Sequence, residues 1–542
     1  MTSEYKIKRI ISRSRYCANM TATIRILVIM GIVLLLRCCV TYHPYSGQGK
    51  PPMFGDYEAQ RHWQEITLNL PIKWWYTNTT DNDLQYWGLD YPPLTAYHSL
   101  LLGYIANVTN SDFVQLRTSR GYESESHKYF MRLSVLWAES ITYLPAMLWF
   151  ISGLKIQELK AIQLDEKNLF DFRKHDFHLA TILIYPGLIL IDHGHFQYNC
   201  ASLGFFVAAV TALLRNRLIF GSFLFVLALN YKQMELYHAL PIFFYILGNN
   251  VPGRNKTLKS CIITLFCVSL TVLLTFAIIW VPFFQDRETF LNVIFRLFPI
   301  ARGVFEDKVA NVWCAINVIY KLRNALNNAQ LAQICGAATL LAVLPSSMNL
   351  FFRPLRNKFI ISLVNSSLGF FLFSFQVHEK SILLVAIPIL LNFHNDPLPC
   401  FWFLLISTFS MLPLLINDGL YIAYIAITLL YAISTTWVFP NLCRITTSVE
   451  LKDECDKKLS VIYVCKNYRQ FAVVGLFRLS MLGTVVLSML CVLVKPPKRY
   501  PDLFPLLISV YSCGHFIIFF LYFNYKQFCI GKQYPMEKIK SN

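Results

Sequence analysis

Apolar runs of about twenty residues recur along nearly the whole chain, and they constrain its fold more than any other feature. The chain has 542 residues, of which 55% are hydrophobic and only 15% are charged. Soluble globular domains carry roughly 25% charged residues, so the composition excludes an ordinary soluble domain. The sequence therefore predicts an all-α polytopic membrane protein.

The apolar runs predict roughly fourteen transmembrane helices, several of them short and therefore tilted or kinked. They are residues 22–40, 133–152, 178–191, 198–214, 218–229, 236–247, 261–284, 330–350, 359–375, 382–393, 400–416, 420–439, 471–494 and 503–523. Residues 309–320 are also apolar, but about a dozen residues are too few to cross a bilayer. We interpret them as an interfacial helix.

The flanking segments predict the orientation of the chain. Residues 1–21 are basic, and no small-residue cleavage site follows the first apolar run, which favours a retained span with a cytosolic N-terminus. An even number of spans returns the C-terminus to the cytosol, where Lys538 and Lys540 resemble a dilysine retrieval signal for the endoplasmic reticulum. The predicted division is a cytosolic segment 1–21, a catalytic module 22–393 with luminal loops 43–128 and 285–328, and C-terminal helices with a cytosolic tail at 394–542.

Charge and cysteine content exclude other classes. The net charge of +18 comes mainly from short loops between apolar runs, which is the pattern of the positive-inside rule rather than of nucleic-acid binding. The 15 cysteines show no spacing typical of metal ligands or of a disulfide framework. The sequons at Asn78 and Asn107 lie in the predicted luminal loop 43–128 and are candidate glycosylation sites.

The unusual polar residues fall on the face that this topology makes luminal. The candidate substrate-binding and catalytic residues there are Asp56, Glu58, Arg61, Asp90, Tyr91, His193, His195, Gln197, Lys232, Glu235, Arg302, Asp307, Lys308, His378, Glu379 and Lys380. Loops on the opposite face carry ordinary mixed charge. This difference between the two faces predicts a site at the luminal membrane boundary.

Each cluster also has a structural interpretation. Asp56 could cap the helix that starts beside it, and Asp90 with the two following prolines could form only a turn. His193 and His195 lack the spacing of a helical metal pair. Asp81 and Asp83 are interpreted as solvated surface, and the 378–380 cluster could be an interfacial anchor, although ionisable groups at a span end more often mark function.

A polar site at a bilayer surface suits a substrate with a polar head and a lipid tail. Sugar transfer from a lipid phosphate needs a base for the attacking hydroxyl, which a carboxylate can supply. It also needs cations for the departing phosphate, which Arg, Lys or protonated His can supply. A monophosphate leaving group flanked by basic side chains can dispense with a metal.

At these residues the sequence resembles the dolichyl-phosphate-glucose-dependent α-1,3-glucosyltransferases of the endoplasmic reticulum. Six stretches carry the resemblance: 55–63 (GDYEAQRHW), 87–99 (WGLDYPPLTAYHS), 192–199 (DHGHFQYN), 229–238 (LNYKQMELYH), 302–314 (RGVFEDKVANVWC) and 377–383 (VHEKSIL). Stretch 87–99 resembles the branch that adds the first glucose to the nine-mannose oligosaccharide more than the branch that adds the second.

The resemblance implies a GT-C type fold, dolichyl phosphate β-glucose as donor and no metal cofactor. It further implies transfer to the terminal mannose of Man9GlcNAc2-PP-dolichol with inversion to an α-1,3 linkage. Asp56 matches the family's catalytic acidic residue, and His378 matches a histidine near the donor phosphate. Arg302, Lys308 and Lys380 are further candidates for neutralising the phosphate.

Three alternatives remain open from the sequence. A paralogue that adds the second glucose would differ in acceptor. A lipid-linked sugar transporter or flippase would place ionisable residues in mid-span. A non-catalytic scaffold subunit would not need an acid, a histidine and cations on one face.

Overall fold

The computed structural model describes residues 23–162, 172–253, 256–298, 308–440, 442 and 457–530. The candidates Arg302 and Asp307 and the C-terminal Lys538 and Lys540 lie outside the described residues. All regular structure in these ranges is helical, so the predicted all-α class is confirmed.

The first half of the described chain contains helices α1 Thr23–Thr41, α2 Asp56–Asn69, α3 Pro93–Thr109, α4 Glu125–Ile141, α5 Tyr143–Ile162, α6 Phe172–Leu183, α7 Pro186–Ile189, α8 Asn199–Leu214, α9 Leu218–Tyr231, α10 Ala239–Gly248 and α11 Leu258–Trp280. The second half contains α12 Arg287–Leu297, α13 Val312–Ile319, α14 Leu322–Ala325, α15 Asn328–Phe352, α16 Arg356–Phe373, α17 Leu383–Asn392, α18 Pro397–Ser410, α19 Leu412–Asn417, α20 Tyr421–Val438, α21 Lys457–Leu493 and α22 Leu503–Cys529. A π-helical turn at Leu190–Phe196 and 3₁₀ turns at Gln233–His238 and Glu379–Ile382 join some of them.

Among the described residues, seven helices are long and apolar enough to cross a membrane, or eight if one bent pair counts as a single span. The bent pair is Phe177–Leu183 with Pro186–Phe196, which meet at 43°. Other predicted runs correspond to shorter apolar helices, including α8, α9 and α18. A 16-residue helix such as α8 is about 24 Å long, which is less than the ~30 Å hydrocarbon core of a bilayer. The chain is a multi-pass membrane protein.

Burial divides the helices into an inner and an outer set. The inner set contains α8, α16, α17 and α18, in which nearly every side chain is buried. Of these, α8 and α17 are apolar on all sides. By contrast α11 exposes large apolar side chains such as Leu273 (67%) and Ile278 (73%). A helix that is apolar all round lies either in a protein core or in lipid. Because α11 and the other outer helices expose their apolar side chains, they form the lipid-facing surface.

The described parts of the two predicted luminal loops contain helices. In 43–128, α2 and α3 pack together over a separate apolar core that includes Trp63, Ile66 and Trp75. In 285–328 the structure contains α12, α13 and α14. The prediction that residues 309–320 form a short helix rather than a span is confirmed by the eight-residue α13.

The bend before the π turn has a local cause. Pro186 begins α7 directly after the break, where its missing N–H costs no hydrogen bond. The backbone then widens into the π turn, which ends with Phe196 at a positive φ of 92°. Single π turns occur frequently at functional sites. Here the turn carries His193 and His195 to the end of the bundle where α2 begins.

Candidate active site

Asp56 is the first residue of α2 and directly follows Gly55, the N-cap. The backbone N–H of Asp56 donates to Ser46 Oγ at 3.3 Å. No side chain caps this helix end within the described chain, so Asp56 does not act as the capping acceptor that the sequence left open. Its carboxylate is instead directed at three donors from distant parts of the chain.

All three donors bind the same carboxylate oxygen of Asp56. His195 Nε2 lies 3.1 Å from Oδ2, and the Gln197 amide and the Lys380 ammonium also donate to Oδ2. Lys380 Nζ is in addition 3.2 Å from His195 Nε2. Within the described ranges Oδ1 accepts no hydrogen bond, and the Asp56 side chain keeps 20% of its surface exposed. One oxygen is therefore held and the other is presented.

The surrounding charges keep Asp56 ionised. Burial alone would raise the pKa of this carboxyl, but the Lys380 ammonium and the His195 imidazole hold its pKa well below the usual range. Asp56 is consequently a carboxylate at neutral pH and a weak base while both cationic partners remain on it.

The polar network continues from Gln197 toward Lys232. Asn199 Nδ2 donates to Gln197 Oε1 at 3.2 Å, and Lys232 Nζ donates to Asn199 Oδ1 at 2.5 Å. Lys232 Nζ also lies 5.1 Å from the centroid of the Tyr91 ring, a cation–π distance. A small cavity of about 10 Å³ lies here, lined by Gln60, Tyr91, Thr95, Gln197, Tyr198, Asn199, Tyr231 and Lys232.

Asp90 and the 378–380 cluster flank this network. The backbone carbonyl of Asp90 accepts from the Gln233 amide at 3.0 Å, which ties the loop before α3 to the turn after α9. His378 is the half-buried residue that begins the 3₁₀ turn, and its carbonyl accepts from Ser381 N at 3.0 Å. This turn brings Lys380, two residues later, onto Asp56.

Two other candidates on α2 belong to a separate buried network. Arg61 forms a two-point ion pair with Glu58 at 2.7 and 2.8 Å, and it also contacts Glu65 at 2.7 Å. Tyr86 donates to Glu58 at 2.8 Å. In the part of the chain that the structure describes, Glu58 and Arg61 form no hydrogen bond or ion pair with Asp56. Glu58 lies two residues after Asp56, which places it about 200° around the helix.

The remaining candidates also lie in pairs of their own. His193 Nε2 is 2.6 Å from Glu139 Oε2, which in turn binds Arg37. Glu235, like Glu139, is paired with a histidine: it lies 2.8 Å from His238 Nδ1 and also accepts from Ser202 at 2.7 Å. On the protein surface, Lys308 pairs with Asp502 at 2.5 Å. Asn78 and Asn107 are both exposed.

One residue of the cluster was missed from the sequence. Asp418 Oδ2 lies 2.5 Å from His195 Nδ1, on the side of the ring opposite Asp56. Its neighbours, Asn417 and Gly419, make it look like an ordinary turn residue. The signal that could have found it is its place between the runs 400–416 and 420–439, at an end that the predicted topology makes luminal.

No group of three or more His, Cys, Asp or Glu side chains among the described residues is arranged to hold a metal ion. Asp56 faces the side-chain charges of His195 and Lys380.

The fold and the site define a multi-pass helical membrane protein in which the Asp56 carboxylate lies at one end of the bundle, against His195 and Lys380. The sequence profile of the ALG6, ALG8 glycosyltransferase family matches residues 23–522, and the chain belongs to this family.

Individual relatives are similar over nearly their whole length. The dolichyl pyrophosphate Man9GlcNAc2 alpha-1,3-glucosyltransferase of Gallus gallus is 47% identical over 495 residues, which cover 91% of this chain and 94% of the relative. The enzyme of the same name from Mus musculus is 47% identical over 91% of this chain and 96% of its own. The probable enzyme of that name from Drosophila melanogaster is 48% identical, with coverage of 91% and 96%.

Proposed function

We propose that this protein transfers glucose from dolichyl phosphate β-glucose to the terminal mannose of Man9GlcNAc2-PP-dolichol, forming an α-1,3 linkage with inversion. The names and high identity of its relatives support the substrates. The observation that carries the chemistry is the Asp56 carboxylate, with one oxygen held by three donors and the other presented.

The reaction is a single displacement at the anomeric carbon of glucose. The mannose 3-hydroxyl oxygen attacks that carbon as Asp56 Oδ1 takes the hydroxyl proton. The bond from the anomeric carbon to the phosphate oxygen breaks, and dolichyl phosphate leaves with the electron pair. Attack opposite to the leaving group converts the β-glucoside into an α-glucoside.

Lys380 has two successive partners in this scheme. At rest its ammonium pairs with Asp56, which lowers the basicity of the carboxylate. The donor phosphate, recognised by His378 and neighbouring cations, attracts Lys380 and stabilises the charge that grows as the bond breaks. Asp56 then becomes a stronger base at the moment when the acceptor needs one.

The proposed fold is of the GT-C type with roughly fourteen spans, a luminal site in the endoplasmic reticulum and cytosolic termini. Contacts between distant loops support this arrangement. Residues at the predicted luminal ends of different spans, 56, 195, 380 and 418, meet one another. Residues at predicted cytosolic ends also pair together, as Asp396 does with Lys526.

Replacement of Asp56 by asparagine tests the proposal, because the amide keeps the shape but cannot accept the proton. Transfer by the purified variant, with synthetic donor and acceptor, should fall by at least about 100-fold. Asp83→Asn, the same change in an exposed loop, is the matched control and should retain activity. Full activity of Asp56→Asn would exclude it as the base.

The same assay examines the rest of the proposal. Wild-type transfer in excess EDTA tests the proposed metal independence. An acceptor that already carries one terminal glucose tests the assignment to the first glucosylation step and should not be extended.

A further inference from the structure

His195 lies between two carboxylates, and only one of them belongs to the reaction described above. Its Nε2 is 3.1 Å from Asp56 and its Nδ1 is 2.5 Å from Asp418. The side chains of His195 and Asp418 are each only 2% exposed. Leu415 and Leu420, which lie three residues before and two residues after Asp418 in the chain, are also buried.

This placement engages both nitrogens of the imidazole ring. An ionised carboxylate accepts hydrogen bonds and donates none, so Nε2 donates to Asp56, which the surrounding charges keep ionised. Nδ1 faces Asp418 Oδ2 at 2.5 Å, and the Lys380 ammonium pairs with Asp56 in the same cluster. Neutralising paired charges is what makes burial of this cluster tolerable.

Backbone geometry holds Asp418 in place. Helix α19 ends in a turn where Gly419 has a positive φ of 74°, Leu420 N donates to Leu415 O at 2.8 Å and Gly419 N donates to Ile416 O at 3.0 Å. Lys50 Nζ binds the carbonyl of Asn417 at 2.7 Å. Asp418 thus follows the end of α19, and Lys50 links this helix end to the segment before α2.

The backbone around His195 is fastened as well. Ser46 N donates to the His195 carbonyl at 3.0 Å, and Arg132 donates to the Gly194 carbonyl at 2.9 Å. A Cβ on Gly194 would lie 2.9 Å from Leu420 Cδ1, so the π turn packs closely against the residue that follows the Asp418 turn. The order Asp418, His195, Asp56 is therefore built into the packing of three separate segments.

We propose that Asp418 is a positioning residue for glucosyl transfer: acting through His195, it holds Oδ2 of Asp56 so that Oδ1 faces the acceptor hydroxyl. This inference rests on the proposed function. It also extends the active site beyond the predicted module 22–393 into the C-terminal helices.

A double-mutant cycle tests whether Asp418 acts through His195. Asp418→Asn should lower kcat by about 10- to 100-fold, by analogy with the loss of a partner that orients a metal-ligating histidine. The KM values for donor and acceptor should stay within about twofold, because Asp418 is not placed to touch either substrate. In a His195→Gln background, Asp418→Asn should change kcat by less than about twofold, since the ring through which it acts is gone.

Asp396→Asn is the matched control, because Asp396 also accepts from a cation and lies at the far end of α18. It should leave kcat unchanged in both backgrounds. If the double variant loses kcat by the product of the two single-variant losses, Asp418 and His195 act independently and the positioning role is overturned. A rise in KM with unchanged kcat would also overturn it. If the wild-type enzyme itself transfers no glucose, the proposed function fails, and that outcome is distinct from an active enzyme with independent effects.

Discussion

The Asp56 carboxylate combines two opposing requirements at the scale of a single residue. A base must be ionised before it can act, and the Lys380 and His195 cations secure this by depressing its pKa. The same cations make it reluctant to accept a proton. A partner that can leave resolves the conflict, and Lys380 is a better candidate than His195, because His195 is also anchored by Asp418.

Lys380→Met removes the movable cation and gives the first residue-scale prediction. The pKa of Asp56 should rise toward its usual range, so the carboxylate is protonated, and the base lost, at a higher pH than in the wild type. The acidic limb of kcat/KM against pH therefore moves upward. At neutral pH, kcat/KM should fall by about 100-fold because the leaving phosphate also loses a cation.

Steady-state rates of the wild type and of Lys380→Met from about pH 2 to 8 measure both effects, because the usual pKa of an aspartate is about 4. Lys256→Met is the control: its amine binds Asn250 at 2.8 Å, far along the chain from the site. An acidic limb at the wild-type position would contradict the resting ion pair.

The separate residues of the site differ in how far the sequence revealed them. Asp56, His195, Gln197 and Lys380 lie in polar stretches that interrupt apolar runs, and topology brings such stretches to one face. Asp418 is one acid in a short turn, and nothing local distinguishes it. Glu58 and Arg61 were candidates by composition, but helical spacing pairs them with each other and with Glu65.

At the scale of elements, the start of α2 is the most tightly constrained part of the site. Ser46 contacts both His195 and Asp56: its backbone N–H donates to the His195 carbonyl, and its hydroxyl accepts from Asp56 N. A Cβ on Gly55 would lie 2.6 Å from the Ser46 carbonyl carbon, which is too close for any contact. Only glycine allows α2 to begin against this segment.

Gly55→Ala should therefore displace Asp56 without any change in its chemistry. The φ of Gly55, −158°, is open to any residue, so the effect is steric. A shift of about 1 Å at a catalytic group can cost 100-fold in rate, and we expect a loss of kcat of that size. Purified variant and wild type are compared for glucosyl transfer and for thermal unfolding.

Gly31→Ala in α1 is the control for Gly55→Ala, because a Cβ there meets nothing within 4 Å. It should match the wild type in both measurements. Unchanged transfer by Gly55→Ala would show that the α2 start adapts more readily than its packing suggests.

At the scale of the whole molecule, the long apolar runs predicted the helical class but not the length of each helix. The run 236–247 becomes a 3₁₀ turn followed by the ten-residue α10, because the buried Glu235 binds Ser202 and His238 just before it. The run 382–393 becomes α17, which is also ten residues long. Such polar contacts between distant segments are invisible to a hydropathy count.

The proposed topology predicts which sequons are glycosylated, and other sequons in the same chain serve as internal controls. Asn78 and Asn107 are exposed and lie in the segment proposed to be luminal, so oligosaccharyl transfer can reach both. The sequons at Asn19 and Asn255 have the same chemistry but fall in segments proposed to be cytosolic. We expect the first two to be modified and the last two to be unmodified.

Glycosidase treatment of protein expressed in a eukaryotic cell measures this. Asn78→Gln and Asn107→Gln should each remove one step in gel mobility, and the double variant should be insensitive to the enzyme. A remaining shift in the double variant would place a proposed cytosolic segment in the lumen. Because α1 connects the N-terminal segment to the Asp56 end of the bundle, modification at Asn19 would invert the face on which the site is proposed to act.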